Sequence, residues 1–129
     1  MRLLLDTNII VALVMGELED RSRAAASAVL SRTNILFASA VSLWEIAIKS
    51  RLGKLDTGLA LEDMPAYFES LGLNLIAIDP RHAVTSLEPQ PQTRDPFDHM
   101  LLAQCLVENL RLVTLDRALA VHPLTWRPV

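Results

Sequence analysis

Short apolar runs alternate along the chain with longer segments in which apolar residues recur at helical spacing. An unbroken apolar run between polar residues is typical of a strand that is covered on both faces of a parallel sheet. The runs predict four strands, at residues 2–5, 34–38, 73–78 and 111–115, and a weaker fifth strand at 124–126. Strands that alternate with helices indicate an α/β domain built around a parallel sheet.

The segments between the strands are predicted to be helices. They cover residues 7–15, a segment that Asp20 caps, and residues 39–52, 59–71, 81–87, 95–110 and 116–120. Asp-Pro pairs at Asp79 and Asp95 each predict an N-cap followed by a proline in the first turn. One helix should bury the stripe Val41, Trp44, Ile48 and Leu52, with Glu45 in or beside it. Another should bury the stripe Asp98, Leu101, Leu102, Cys105 and Leu106.

Composition adds few constraints to this pattern. The 129 residues suit one domain, and 51% of them are hydrophobic, which suffices for a core and suggests a partner or self-association. Cys105 is the only cysteine, so no internal disulfide can form, and we expect a buried inert thiol in a reducing cytoplasm. The apolar runs are too short for a transmembrane helix, and Asp6 interrupts the N-terminal run, so we expect no signal peptide and no membrane association.

Four carboxylates occupy matching places in the predicted elements. Asp6 and Asp116 each follow an apolar strand, and parallel strands end at the same edge of a sheet. Glu45 and Asp98 lie on the apolar side of a helix near its start, and the helices that follow parallel strands begin at that edge. We therefore expect all four side chains to converge.

Each acid also has a simpler interpretation. Asp6 and Asp116 can cap the helices that follow them. Glu45 can complete a capping box with Ser42, or pair with Lys49 four residues later. Asp98 can interact with the helix dipole, although Asp95 already supplies the cap of that helix.

A divalent cation would explain the four acids together. Buried carboxylates repel one another and lose hydration, and a cation offsets both costs. Oxygen ligands without histidine or thiolate suit Mg²⁺ or Mn²⁺ better than Zn²⁺. His82, His99 and His122 show no metal-ligand spacing, and His82 and His122 are predicted to lie at the surface. A cation would also let a chain of net charge −3 bind phosphates.

The residues around these acids resemble a known family. Residues 4–8, 42–49, 94–104 and 112–116 resemble, in order and spacing, the PIN-domain ribonucleases, and specifically the VapC-type toxins of bacterial toxin–antitoxin pairs. The resemblance implies one PIN domain over residues 1–129, a three-layer α/β/α sandwich with a central parallel sheet of four to five strands. It also implies a homodimer and a cognate VapB-type antitoxin whose tail covers the site.

The resemblance implies roles for particular residues as well. The catalytic residues, which bind Mg²⁺ or Mn²⁺, are Asp6, Glu45, Asp98 and Asp116. Thr7, by its position, and Asp95, where the family often carries an acid, are candidates for residues that support these ligands. Lys49 and Arg94 are candidates for contacts with RNA.

We therefore predict a metal-dependent endoribonuclease, in which metal-activated water hydrolyses a phosphodiester and leaves a 5′-phosphate and a 3′-hydroxyl. One alternative is a receiver-like or aspartyl-phosphate domain for Mg²⁺-dependent phosphotransfer, with Asp6 as nucleophile. No second acid lies two residues after Asp6, and no lysine follows the fourth strand as in a receiver. The other alternative is a catalytically silent PIN-fold binding module that acts only through its partners.

Overall fold

Four parallel strands form the centre of the molecule. The computed structural model describes residues 1–128, and its strands are β1 (Arg2–Leu5), β2 (Ile35–Ser39), β3 (Leu73–Ile76) and β4 (Arg111–Val113). The sheet order is β3–β2–β1–β4, and every pairing is parallel. The predicted α/β fold with a parallel sheet is confirmed. The predicted fifth strand is wrong, because within the described chain Thr125 makes only an isolated parallel bridge to Leu112.

Helices cover the sheet. Their bounds are α1 (Thr7–Val14), α2 (Leu18–Arg21), α3 (Arg23–Leu30), α4 (Ala40–Arg51), α5 (Met64–Ser70), α6 (Pro80–Val84), α7 (Pro96–Glu108) and α8 (Arg117–Ala120), with a 3₁₀ turn at Leu61–Asp63 before α5. Asp79 and Asp95 cap α6 and α7 as predicted. The prediction that Asp20 caps a helix is wrong: Asp20 lies inside α2, and the Ser22 hydroxyl accepts the Ala25 N–H at 3.1 Å to cap α3.

Successive side chains of β1 point to opposite faces of the sheet and pack in two separate cores. Leu3 and Leu5 pack in one core with residues of α1, α3 and α5, whereas Leu4 packs in the other with residues of α7 and α8. All three leucines are fully buried. The unbroken apolar run of β1 thus reflects helices on both faces of the sheet.

Both predicted helix stripes are partly wrong. Val41 is buried, but Trp44 and Leu52 are 59% and 63% exposed, and Leu106 of α7 is 49% exposed. The buried face of α4 instead carries Ser42, Glu45 and Ile46 in addition to Val41. Apolar spacing identifies a continuous helical face, but the contacts of α4 with α1 and α7 decide which face is covered.

The prediction that His82 and His122 lie at the surface is also wrong. Their exposed fractions are 2% and 4%. His122 Nε2 lies 2.8 Å from the Pro89 carbonyl oxygen, and its Nδ1 accepts the Leu124 N–H at 3.2 Å. A buried imidazole needs partners for both nitrogens, and one of the two partners of His122 comes from a segment that is distant in sequence.

Candidate metal centre

The carboxyl ends of β1 and β4 are adjacent in the sheet. β2 and β3 lie on one side of β1, and β4 lies on the other side. The direction in which successive strands are added to the sheet therefore reverses, and the reversal point lies between β1 and β4. In open α/β sheets such a switch point forms a crevice beyond the strand ends, where ligands bind. Asp6 follows β1, and Asp116 lies three residues after Val113, the last residue of β4.

Asp6 is held on both of its oxygens. Oδ1 accepts the Thr7 N–H at 2.7 Å, as an N-cap of α1 does, and Oδ2 accepts the Thr114 hydroxyl at 2.6 Å. The Asp6 N–H donates to the Val113 carbonyl at 2.9 Å, which ties the end of β1 to β4. The side chain is buried, with 4% of the residue exposed. Capping and a place in the crevice therefore coexist.

Thr114 connects Asp6 to Asp116. Its hydroxyl donates to Asp6 and accepts the Asp116 N–H at 3.0 Å. Asp116 in turn caps α8, because its Oδ1 accepts the Ala118 N–H at 2.8 Å. Thr114 had no predicted role, although its place between β4 and Asp116 in the sequence was a usable signal.

Glu45 comes from the buried face of α4. Its exposed fraction is 8%, and Lys49 Nζ lies 2.6 Å from its Oε2, which confirms the predicted i, i+4 pair. The capping-box interpretation of Ser42 is wrong, since Ser39 caps α4. The Ser42 hydroxyl instead accepts the Thr7 hydroxyl at 2.9 Å. This buried bond joins the first turns of α1 and α4 beside Glu45.

Asp98 lies in the first turn of α7. Asp95 caps the helix by accepting the Phe97 N–H at 2.9 Å, so Asp98 has no capping task. Its Oδ2 accepts the Thr93 hydroxyl at 3.1 Å, and 9% of the residue is exposed. The loop before α7 thus contacts this acid directly.

Two of the acids have strongly raised pKa values. Burial raises the pKa of Asp6 from 3.8 to about 6, against the hydrogen bonds from Thr114 and Thr7, and the charges of Glu45 and Asp116 add to the rise. Burial also raises the pKa of Asp98 to about 7, with further contributions from Asp6, Asp95 and Asp116. The negative charges of the acids therefore repel one another, and a bound cation would reduce this repulsion.

All four predicted acids line a single cavity of about 360 Å³, here called the acidic cavity. Its other lining residues are Thr7, Asn8, Val11, Arg21, Lys49, Lys54, Leu55 and Asp95. Thr7, Asp95 and Lys49 were singled out from the sequence. Arg94 was too, but it does not line the acidic cavity and faces a neighbouring groove instead. Arg21 is an addition that the sequence analysis missed, because no local motif relates α2 to the strand ends.

The acids could hold a divalent cation through oxygen atoms alone. Within residues 1–128, no three carboxylate oxygens of the acidic cavity lie within 4.8 Å of one another. Mg²⁺ usually keeps several water ligands and takes only a few direct contacts from protein, so a site for it does not need three acids this close together.

A second group with metal-ligand chemistry lies between α6 and α7. Asp79, His82 and Glu108 each bring a ligand atom within 4.8 Å of the others. Arg81 already pairs with both acids, with Nη2 2.7 Å from Asp79 Oδ2 and 2.8 Å from Glu108 Oε1. His82 Nδ1 accepts the Asp79 N–H at 3.0 Å, so the neutral ring donates from Nε2 to Glu108 at 2.9 Å. This group is internally satisfied and joins two helices.

Comparison with known proteins agrees with this architecture. Two solved structures share the fold: VapBC2 from Rickettsia felis bound to a DNA fragment from their promoter, and VapBC-1 from nontypeable Haemophilus influenzae. The first has 20% identity and a TM-score of 0.65, covering 97% of this chain and 96% of that one. The second has 22% identity and a TM-score of 0.59, covering 88% and 86%.

No curated protein matches the sequence. The described helices include none that is long and apolar enough to cross a membrane. The model of the PIN domain family, however, matches residues 3–123, which is nearly the whole chain. The chain therefore belongs to the PIN domain family.

Proposed function

We propose that this protein is a metal-dependent endoribonuclease and the toxin of a toxin–antitoxin pair. One observation carries the proposal: Asp6, Glu45, Asp98 and Asp116 line a single cavity at the switch point of a PIN-family sheet. Membership of the family supports nuclease chemistry. The acidic cavity supports a divalent metal, and Mg²⁺ or Mn²⁺ suits its oxygen ligands.

Asp6, Glu45, Asp98 and Asp116 would hold the metal. When bound, it supplies an activated water and neutralises charge that develops on the phosphate. Thr114 and Thr7 orient Asp6, and Thr93 orients Asp98, so the ligands are set before substrate arrives.

Three cations lie on the wall of the acidic cavity and can bind phosphate oxygens. Lys49 pairs with Glu45, whereas Arg21 and Lys54 make no ion pair with any residue in the described part of the chain. With Lys49 they neutralise part of the repulsion between the acids and the RNA backbone.

The phosphoacceptor alternative has less support, because no second acid lies two residues after Asp6 and no lysine follows β4 as in a receiver. A silent binding module would keep the fold but have no measurable affinity for Mg²⁺ or Mn²⁺. Isothermal titration with Mn²⁺ separates that case from the enzyme.

The test is cleavage of cellular RNA by the purified protein, with end-mapping of the products. Mg²⁺ or Mn²⁺ should support cleavage to 5′-phosphate and 3′-hydroxyl ends, and EDTA should abolish it. Asp6→Asn and Asp98→Asn should each lower the rate by more than about a hundredfold, since loss of a supporting residue alone costs ten- to a hundredfold. Asp63→Asn is the matched control, because Asp63 is exposed and its side chain caps nothing. Equal cleavage with EDTA or by Asp98→Asn would contradict the metal mechanism.

The partners in this proposal are a VapB-type antitoxin and a second copy of the chain. Both structural neighbours are VapBC proteins by their descriptions, which supports an antitoxin. Exposed apolar side chains, including Leu30, Trp44 and Leu52, offer surface for association. Light scattering after size exclusion should give a dimer mass. Expression without the product of a neighbouring reading frame should arrest growth, whereas coexpression should not.

A further inference from the structure

A second concave surface lies beside the acidic cavity. A groove of about 700 Å³ runs between the loop that precedes α7 and one face of that helix. We call it the loop groove; its lining includes Leu87, Gln90, Gln92, Arg94, His99 and Met100. Its volume is in the range of pockets that hold small ligands.

The loop groove has no carboxylate on its wall, in a chain whose net charge is −3. Arg94 is exposed there and makes no ion pair with a described residue. The side-chain amides of Gln90 and Gln92 are also exposed and, within residues 1–128, take part in no hydrogen bond. The surface therefore offers one cation and two unused amides to an anionic ligand that has hydrogen-bonding edges.

The loop is held in place before any ligand arrives. His122 contacts the Pro89 carbonyl at 2.8 Å, and His99 Nε2 contacts the Thr93 carbonyl at 2.9 Å. Gln90 lies between Pro89 and Pro91, whose rings fix φ. A rigid loop lowers the entropy that binding would remove.

The loop groove and the acidic cavity share the start of α7. Arg94, Pro96 and His99 face the groove, whereas Asp95 and Asp98 face the cavity. Thr93 belongs to the groove and donates to Asp98 Oδ2 at 3.1 Å. A ligand in the groove would thus lie one helix face away from the metal centre and touch the loop that orients a metal ligand.

We propose that the loop groove binds the RNA nucleotide next to the scissile phosphate and sets the base preference of the enzyme. Gln90 and Gln92 read the edge of the base, Met100 supplies an apolar surface for its face, and Arg94 binds its phosphate. This inference rests on the proposed function, since it concerns the substrate of the same site.

RNA fits the loop groove better than a protein segment does. The groove pairs amides with an arginine, the groups that read base edges and phosphates, and it adjoins acids that act on a phosphodiester. A protein partner remains as an outcome of the experiment.

Binding is measured by fluorescence anisotropy with labelled single-stranded RNA octamers, with Ca²⁺ replacing Mg²⁺ so that binding is read without cleavage. The octamers differ by one base at a single position. The double variant Gln90→Ala/Gln92→Ala should lose the base preference of the wild type, because its affinity for the octamer with the preferred base should fall roughly tenfold. Arg94→Ala should weaken all octamers roughly tenfold and lower the salt dependence by about one phosphate contact.

Arg32→Ala is the charge-matched control, because Arg32 is exposed in the turn before β2, at the amino ends of the strands and thus opposite to the acidic cavity. It should bind RNA as the wild type does. Wild-type affinity and preference in the loop-groove variants would overturn the proposal, and so would unchanged RNA binding with lost antitoxin binding. A wild type that binds RNA with base preference but cleaves nothing in Mg²⁺ or Mn²⁺ would refute the proposed function and leave the groove assignment standing.

Discussion

Asp98 shows how a single residue can oppose the stability of its own fold. Burial and the nearby charges of Asp6, Asp95 and Asp116 raise its pKa to about 7. At pH 8 the side chain is charged in a place that disfavours charge. The role in metal binding that we propose for Asp98 would therefore conflict with stability, as is common at active sites.

We predict that Asp98→Asn stabilises the metal-free protein at pH 8. The amide has nearly the same shape, can still accept the Thr93 hydroxyl, and carries no charge. The melting temperature in EDTA should rise by roughly 5 °C, and Asp63→Asn should leave it unchanged. In excess Mg²⁺ the wild type should gain more stability than the variant. A variant that melts below the wild type in EDTA would contradict the interpretation.

Thr114 is the residue we expect to position two ligands at once. Thr114→Val removes the hydroxyl that donates to Asp6 and accepts from Asp116 while nearly preserving volume. Mn²⁺ affinity measured by calorimetry should fall roughly tenfold or more. The fold-decrease in kcat should be larger than the fold-change in KM. Thr114→Ser keeps the hydroxyl and should restore both. Loss of stability with unchanged metal affinity would show that Thr114 serves only the fold.

At the scale of elements, His82 and Glu108 join α6 to α7. The ring is buried and donates to Glu108 at 2.9 Å, whereas the Arg81 side chain in the same group is 65% exposed. Burial decides how much each contact contributes, because exposed ion pairs are screened by water.

We therefore predict that His82→Ala destabilises the protein by roughly 2–4 kcal/mol, through a cavity and lost buried hydrogen bonds. Arg81→Ala should cost less than about 1 kcal/mol. Urea unfolding monitored by circular dichroism gives both values. A larger effect of Arg81→Ala would mean that the ion pairs, and not the imidazole, hold α6 in place.

For the whole molecule, the raised pKa values predict how stability depends on pH. The pKa of Asp6 is about 6 and that of Asp98 about 7 in the folded chain, against 3.8 for an ordinary aspartate. The folded state therefore holds protons more tightly than the unfolded state. This stabilisation is complete below about pH 4 and is lost as the pH rises through 6 and 7.

The metal-free protein should thus become less stable between pH 5 and pH 8. For Asp6 alone, a pKa that rises from 3.8 to about 6 corresponds to roughly 3 kcal/mol between about pH 4 and pH 7, and about half of this loss falls above pH 5. The hydrogen bond from Arg81 lowers the pKa of Asp79 to about 2. Asp79 therefore stays charged between pH 5 and pH 8 and does not change how stability depends on pH in this range. Melting curves in EDTA and in excess Mg²⁺ test this, and Mg²⁺ should stabilise most at pH 8. A metal-free melting temperature that rises from pH 6 to pH 8 would refute it.

The sequence by itself determined the elements and the candidate acids. Short apolar runs predicted all four strands, because strands covered by helices have mostly apolar side chains; the exposed Asn74 interrupts only the run of β3, at the edge of the sheet. The Asp-Pro pairs at Asp79 and Asp95 predicted two caps, because capping depends only on neighbouring backbone. Position at strand ends and early helix turns selected the four acids that line one cavity.

Only the tertiary structure decided the rest, because it depends on contacts between segments that are distant in sequence. Helical spacing could not tell that Trp44 and Leu52 are exposed, since the neighbours of α4 choose its buried face. Nor could helical spacing predict that His82 and His122 are buried, since a hydrogen-bond partner of each lies on a distant segment: Glu108 for His82 and the Pro89 carbonyl for His122. The path of the loop that precedes α7 placed Arg94 in the loop groove instead of the acidic cavity. Local physics thus specified the parts, and packing decided which side chains face the site, the core or the solvent.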